Sequence, residues 1–167
     1  MFYLDLLKAL FKNNIKYLIV GGVAVNLHGV PRATFDFDLV ISTDRENILS
    51  LLKVLGEGEY IPTLPEDPIH LADPEKVAYW IKEKNVIAFS FYNEKHSHQV
   101  VDIIIKHPLD FQEAFQRKVI KSIDDFKLYL ASIDDIIHMK RESARPKDMK
   151  DIEFLNKAKE FHEKAES

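Results

Sequence analysis

The mostly apolar, β-branched run from Ile15 to Val20 ends abruptly at Gly21-Gly22, and this junction restricts the fold more than any other feature. Such a run predicts a buried strand. A glycine pair at its end lets backbone N–H groups approach a ligand closely, and the following turn aims a helix start at the same place. Tight packing alone also explains many such pairs. The next segment, Val23 to His28, is too brief for a free helix but long enough for one or two turns laid on a sheet. Gly29-Val30-Pro31 breaks it, and Phe35 to Ile41 reads as a second strand.

Around this centre the chain alternates between the two periodicities. Leu6, Leu7, Leu10 and Phe11 lie on one face of a helix spanning Tyr3 to Lys12, which Asn13-Asn14 stops. Thr43 or Asp44 stands where a cap would open a helix to Leu55, with Ile48, Leu51, Leu52 and Leu55 facing inward. Residues 56–73 hold Gly56, Gly58, Pro62, Pro65 and Pro68 and read as a long irregular loop. Pro74 opens a short helix to Lys84. The strand Val86 to Tyr92, the turn Asn93 to His98 and the strand Gln99 to Ile105 then form a hairpin. A helix from Pro108 to about Gln116, a strand pair near Val119 and Leu128, and helices from Ile133 to about Ser143 and Pro146 to about Lys164 complete the chain. The expectation is one α+β domain over residues 1–167, its C-terminal part helical from about 132 to 165.

Composition narrows the function. With 167 residues, 46% of them hydrophobic and 30% charged, the chain can bury a core of its own. No stretch approaches the roughly 20 apolar residues of a membrane span, and Asp5, Lys8, Lys12 and Lys16 interrupt any signal-peptide-like apolar region. The absence of cysteine excludes a disulfide scaffold, a zinc ribbon and a thiol nucleophile together. A cytoplasmic protein with no membrane partner is expected. The net charge of −4 argues against coating nucleic acid through a globally basic surface.

Three aspartates carry the chemistry. Asp36 and Asp38 alternate with Phe35, Phe37 and Leu39, so on a strand both carboxylates point to one face and the apolar residues anchor the other. Two carboxylates about 7 Å apart along a strand repel unless a cation lies between them. A solvated edge strand is the plain alternative. Asp102 sits inside Val100-Val101-Asp102-Ile103-Ile104-Ile105, where an unpaired buried charge would cost several kcal/mol. A metal or a buried cation removes that objection, and so does a local ion pair at a strand end. Three strand-borne aspartates beside a Gly-Gly turn suit a two-metal phosphoryl-transfer site.

These residues, from Tyr17 to Ser42 with Asp102 on a later strand, resemble the signature of the polymerase-β-like nucleotidyltransferase superfamily. That family opens a helix with a small-residue pair, usually Gly-Ser, followed by Asp-x-Asp on the next strand. The pair here is Gly21-Gly22, so the serine hydroxyl is missing. His28-Gly29, Arg32 and Thr34, with Lys140, Arg145-Pro146-Lys147-Asp148 and Asp151-Ile152 further on, are similar to the small abortive-infection toxin branch. The resemblance implies a mixed sheet flanked by helices, with helices at the C-terminal end. It implies that Gly21 and Gly22 hold the triphosphate of an NTP, and that Asp36 and Asp38 bind Mg²⁺ or Mn²⁺. Asp102 would complete the metal site or act as base toward the acceptor, so the three are the candidate catalytic residues. Arg32 and Thr34 are placed to touch phosphate or to orient Asp36, although Arg32 suits a surface ion pair equally well. The implied activity moves an NMP from an NTP to RNA, a protein hydroxyl or a small molecule, and the toxin-like branch implies an antitoxin partner. A non-catalytic nucleotide- or partner-binding module on the same fold is the alternative.

The segment 138–150 is locally basic. Ile133, Ile136, Ile137 and Lys140 share a helical stripe, which turns Lys140 inward, and Asp148 shares a face with Ile152 and Leu155. Two readings stand together: a Lys140–Asp148 pair tying the last helices, or Lys140 with Arg145 or Lys147 binding phosphate while Asp148 orients one of them. His96 and His98 read as exposed turn residues, and His28 as a packing or substrate residue. Tyr79 and Trp80 read as core or loop-covering residues.

Overall fold

The computed structural model describes residues 3–167. Seven strands form one mixed sheet: β1 (Tyr17–Val20), β2 (Phe37–Ile41), β3 (Tyr60–Pro62), β4 (Ala88–Asn93), β5 (Val100–Ile104), β6 (Val119–Ile123) and β7 (Phe126–Leu130). Their order across the sheet is β3-β4-β5-β2-β1-β7-β6. The helices are α1 (Leu4–Lys12), α2 (Gly21–Leu27), α3 (Arg45–Glu57), α4 (Pro74–Lys84), α5 (Phe111–Gln116), α6 (Ile133–Ser143) and α7 (Pro146–Glu166). A mixed sheet flanked by helices, with a helical C-terminal end, is the fold expected from the sequence. None of the described helices is long and apolar enough to cross a membrane.

Pairing explains the burial. β1 runs antiparallel to β2 and parallel to β7, so it lies inside the sheet and all four of its residues are buried. β4 and β5 instead alternate between buried and half-buried residues. Phe89, Phe91, Val101 and Ile103 face the core, and Ala88, Ser90, Asp102 and Ile104 face the other way onto a partly open surface. Asp102 therefore escapes the two-sided burial that the apolar run around it suggests. α1 packs on β7 and α3, α2 on β1 and β2, and α6 on α7.

Several expected boundaries move. Residues 56–73 are structured: α3 continues to Glu57, β3 pairs with β4, and a 3₁₀ turn spans Pro68–Ala72. Pro62 is tolerated because β3 is an edge strand. Pro68 opens the 3₁₀ turn, and the Asp67 carboxylate accepts a hydrogen bond from the Ile69 N–H. The second strand begins at Phe37, two residues later than its alternation suggests. Phe35 does not anchor a core; it is 82% exposed. Its carbonyl accepts a hydrogen bond from the Tyr3 hydroxyl at 2.8 Å, which withholds that oxygen from the sheet. The helix expected from Pro108 begins only at Phe111, with the Asp110 side chain as its cap. The hairpin strand expected from Val86 starts at Ala88.

Candidate active site

The register places the key carboxylates side by side. Asp38 of β2 lies opposite Asp102 of β5, and Asp102 lies opposite Ser90 of β4, so the three form a row across one face of the sheet. Val20, the last residue before the glycine pair, lies opposite Asp38 on its other flank. Asp36 precedes β2 and is exposed, so it joins the group from the end of a loop and not from the strand face expected for it.

Both glycines are explained by what surrounds them. Gly21 has φ +66°, and a β-carbon there would sit 2.0 Å from Oδ2 of Asp38. Any side chain at this position is strained in the backbone and collides with the carboxylate. A β-carbon on Gly22 would lie 2.5 Å from Oγ1 and 2.8 Å from Cβ of Thr34. The glycine pair is thus the means by which α2 starts directly against Asp38 and the loop before β2. That loop is pinned by the Arg32 N–H, which donates to Oδ1 of Asn26 at 2.8 Å.

Asp38 is electrostatically frustrated. Burial pushes its pKa up to about 7, aided by the charges of Asp102 and Asp36 and opposed by Lys140 and Arg145. Burial likewise raises Asp102, although the Ser90 hydroxyl, donating at 2.5 Å, pulls it back down. No hydrogen bond to Asp38 from a described side chain offsets this. A proton relieves it below about pH 7 and a divalent cation would relieve it above, so these residues fit the ion implied by the resemblance. Among the described residues no three His, Cys, Asp or Glu side chains converge tightly enough to enclose an ion. An ion held here would therefore complete its shell with phosphate oxygens and water.

Opposite the acidic row lies a basic wall with its own counter-charges. Lys140 is buried, as its stripe position predicts, and donates to Asp151 at 2.8 Å and to Asp148 at 3.4 Å. Asp151 also pairs with the Arg32 guanidinium, joining the loop before β2 to α6 and α7. Burial opposes charge on Asp148, but hydrogen bonds from Arg145 and Ser143 and the charge of Lys140 outweigh it and hold the carboxyl well below its usual range. The Lys140–Asp148 pair is therefore present, and Lys140 also lines the cleft. Arg32 makes an ion pair and lines the cleft as well.

The cleft between these walls holds about 790 Å³. It is lined by Gly21, Gly22, Arg32, Thr34, Asp36, Asp38, Asp102, Lys140, Arg145 and Lys147, so every candidate site residue read from the sequence faces one space. Sequence reasoning anticipated Asp148 as an orienting carboxylate but missed Ser90, and it named Asp151 only as part of a motif, without its pairing. Ser90 carried no local signal, because only strand register brings it to Asp102. Asp151 did carry one: it lies three residues after Asp148 on the inward side of α7. His28 belongs to the packing. It is buried, its Nε2 is hydrogen-bonded to the Ala131 carbonyl, and burial lowers its pKa. His96 and His98 are exposed, Trp80 is core and Tyr79 is 44% exposed.

Residues 4–160 match a family described as nucleotidyltransferase of unknown function (DUF6036). The chain belongs to this family. Solved structures agree on the fold. A lincosamide antibiotic adenylyltransferase, LnuA, in its lincomycin-bound form, shares 15% identity with a TM-score of 0.58, covering 93% of each chain. ANT(2'')-Ia in complex with adenylyl-2''-tobramycin also shares 15%, with a TM-score of 0.57 over 90% of this chain and 83% of that one. An antigenic nucleotidyltransferase-like protein from Paracoccidioides brasiliensis shares 24%, with a TM-score of 0.50 over 90% of this chain and 71% of that one. No curated protein matches the sequence.

Proposed function

We propose that this nucleotidyltransferase transfers an NMP from an NTP to an acceptor hydroxyl, supported by Mg²⁺ or Mn²⁺. The observation that carries this reading is the row of Asp38 and Asp102, joined by Asp36 and closed by a glycine whose missing side chain makes room for Asp38. Asp36 and Asp38 would hold the metal with Asp102, which alternatively takes the acceptor proton. When bound, divalent ions activate the acceptor oxygen and stabilise the leaving pyrophosphate. Gly21 and Gly22 leave the backbone open to the triphosphate, with Arg32 and Thr34 beside them. Lys140, Arg145 and Lys147 face the developing phosphate charge from the opposite wall, and Asp148 and Asp151 hold Lys140 and Arg145 in place.

RNA, a protein hydroxyl and a small molecule all stand as acceptors, and the named antibiotics belong to the structural neighbours alone. The similarity of the His28-Gly29, Arg32 and Thr34 stretch to the toxin-like branch supports an antitoxin partner through motif alone.

The test incubates wild type and Asp38→Ala with each α-labelled NTP, Mg²⁺ and a cell extract. Label moving to RNA, protein or a small molecule in the wild type, and lost in Asp38→Ala, is the expected result. Ion-dependent NTP binding with no transfer would establish the non-catalytic module instead. No NTP binding with either ion would overturn both.

A further inference from the structure

The glycine at position 22 and the threonine at position 34 occupy one place between them. A β-carbon on Gly22 would stand 2.5 Å from the Thr34 hydroxyl oxygen and 2.8 Å from its β-carbon, closer than two side chains can share. Gly22 lies in the first turn of α2, and Thr34 comes from the loop before β2. Thr34 is half-buried and lines the cleft together with both glycines and Asp36. Its hydroxyl has no partner among the described residues. The loop presenting it is fixed at two points, by the Arg32 N–H on Asn26 and by the Arg32 guanidinium on Asp151.

We infer that the Thr34 hydroxyl serves as the side-chain hydroxyl for the triphosphate at this end of the cleft, delivered from the loop into the space that a serine at position 22 would fill. This rests on the nucleotide reading above and deepens it. It accounts for the departure of Gly21-Gly22 from the Gly-Ser pair: the hydroxyl is relocated, and Gly22 is what makes room for it. Thr34 donates its O–H to a phosphate oxygen, an uncharged donor to an anion that adds no further charge beside Asp36 and Asp38.

The test measures the affinity of the purified protein for ATP, CTP, GTP and UTP with Mg²⁺ by calorimetry, beside melting temperatures of every variant. Thr34→Val keeps the shape and removes the hydroxyl. It is expected to melt like the wild type and to bind the preferred NTP about tenfold more weakly or worse. Thr34→Ser is expected to recover most of that loss. Gly22→Ser alone collides with Thr34 and loses binding, and Gly22→Ser combined with Thr34→Gly regains it by returning the hydroxyl to α2. Wild-type affinity in Thr34→Val would overturn the inference and leave the nucleotide function standing. So would a double variant that melts like the wild type yet binds no better than Gly22→Ser. A wild type that binds no NTP would overturn the function itself and the inference with it.

Discussion

Replacing Asp38 by Asn should stabilise the metal-free protein at alkaline pH and do nothing at acid pH. The folded pKa of Asp38 is pushed up to about 7 from an ordinary value of 3.8. Between those pH values the folded protein holds a proton that the unfolded chain has released, so the unfolded state binds fewer protons and stability falls as pH rises. The span of about 3 units, at about 1.4 kcal/mol each, sets a ceiling of about 4 kcal/mol. Asp38 is half-buried and not sealed, and partial solvation brings the expectation to about 2–4 kcal/mol. Asn matches the shape of the protonated acid and cannot ionise. For a chain of this size that gain corresponds to roughly 4–16 °C in melting temperature.

Urea melts in EDTA at pH 4, 5, 6, 7 and 8 would measure it. The two curves should lie closest at pH 4, separate steadily between pH 4 and 7 and run parallel by pH 8, with Asp38→Asn the more stable. Adding Mg²⁺ should raise the wild type at pH 8 and leave the variant unchanged, because an ion that binds only the folded state stabilises it by mass action. A variant no more stable than wild type at pH 8, or a gain independent of pH, would refute the reasoning. Asp38 would then carry its charge without strain, and a metal would have no electrostatic deficit to relieve.

Gly21→Ala should displace Asp38, since the new β-carbon meets Oδ2 at 2.0 Å, and should cost at least about 1–2 kcal/mol from the left-handed backbone alone; urea melts and ion-dependent thermal shift with NTP read both effects. Gly56→Ala is the opposite case, a helical position with open space around it, and should gain about 0.5–1 kcal/mol in the same melts. Asp151→Asn leaves Lys140 buried with only its longer contact to Asp148 and frees Arg32. It should cost about 2–4 kcal/mol, and a double-mutant cycle with Lys140→Met should show strong coupling. His28 is lowered by burial, so the unfolded state binds more protons as pH falls through the ordinary value of 6.5. Stability should therefore drop on the acid side, and His28→Gln should flatten that limb.

Much of the fold was legible because its signals are local. The apolar run before Gly21-Gly22 is β1, the stripe of Ile133, Ile136, Ile137 and Lys140 is the buried face of α6, and the hairpin around Asn93 to His98 is where it was expected. What failed was whatever depended on a distant partner. Alternation points Phe35 inward, but alternation applies only inside a strand, and the Tyr3 hydroxyl holds the Phe35 carbonyl outside one. Residues 60–62 looked irregular because Pro62 and the flanking glycines are breakers, but β4 supplies an edge where a three-residue strand can pair. The pairing of Ser90 with Asp102, and of Arg32 with Asp151, rests on register and helix placement that no short window contains.

The two walls of the cleft are unequal in how far they satisfy themselves. On the basic side, Lys140, Arg145 and Arg32 each have a carboxylate from α7 within salt-bridge reach. On the acidic side, Asp38 has no such partner and stands beside Asp36 and Asp102. A bare anion entering this cleft meets Arg32, Lys140 and Arg145 already engaged and carboxylates that repel it, with Lys106 and Lys147 alone among the lining cations carrying no salt bridge among the described residues. In the proposed function the acidic row is where a divalent cation would be held, and phosphate oxygens would complete its shell. Under the proposed function, the arrangement would favour the nucleotide as its metal complex. It would also make the carboxylates of α7 part of that selectivity: by engaging Arg32, Lys140 and Arg145, Asp148 and Asp151 leave Lys106 and Lys147 as the lining cations without a salt bridge among the described residues.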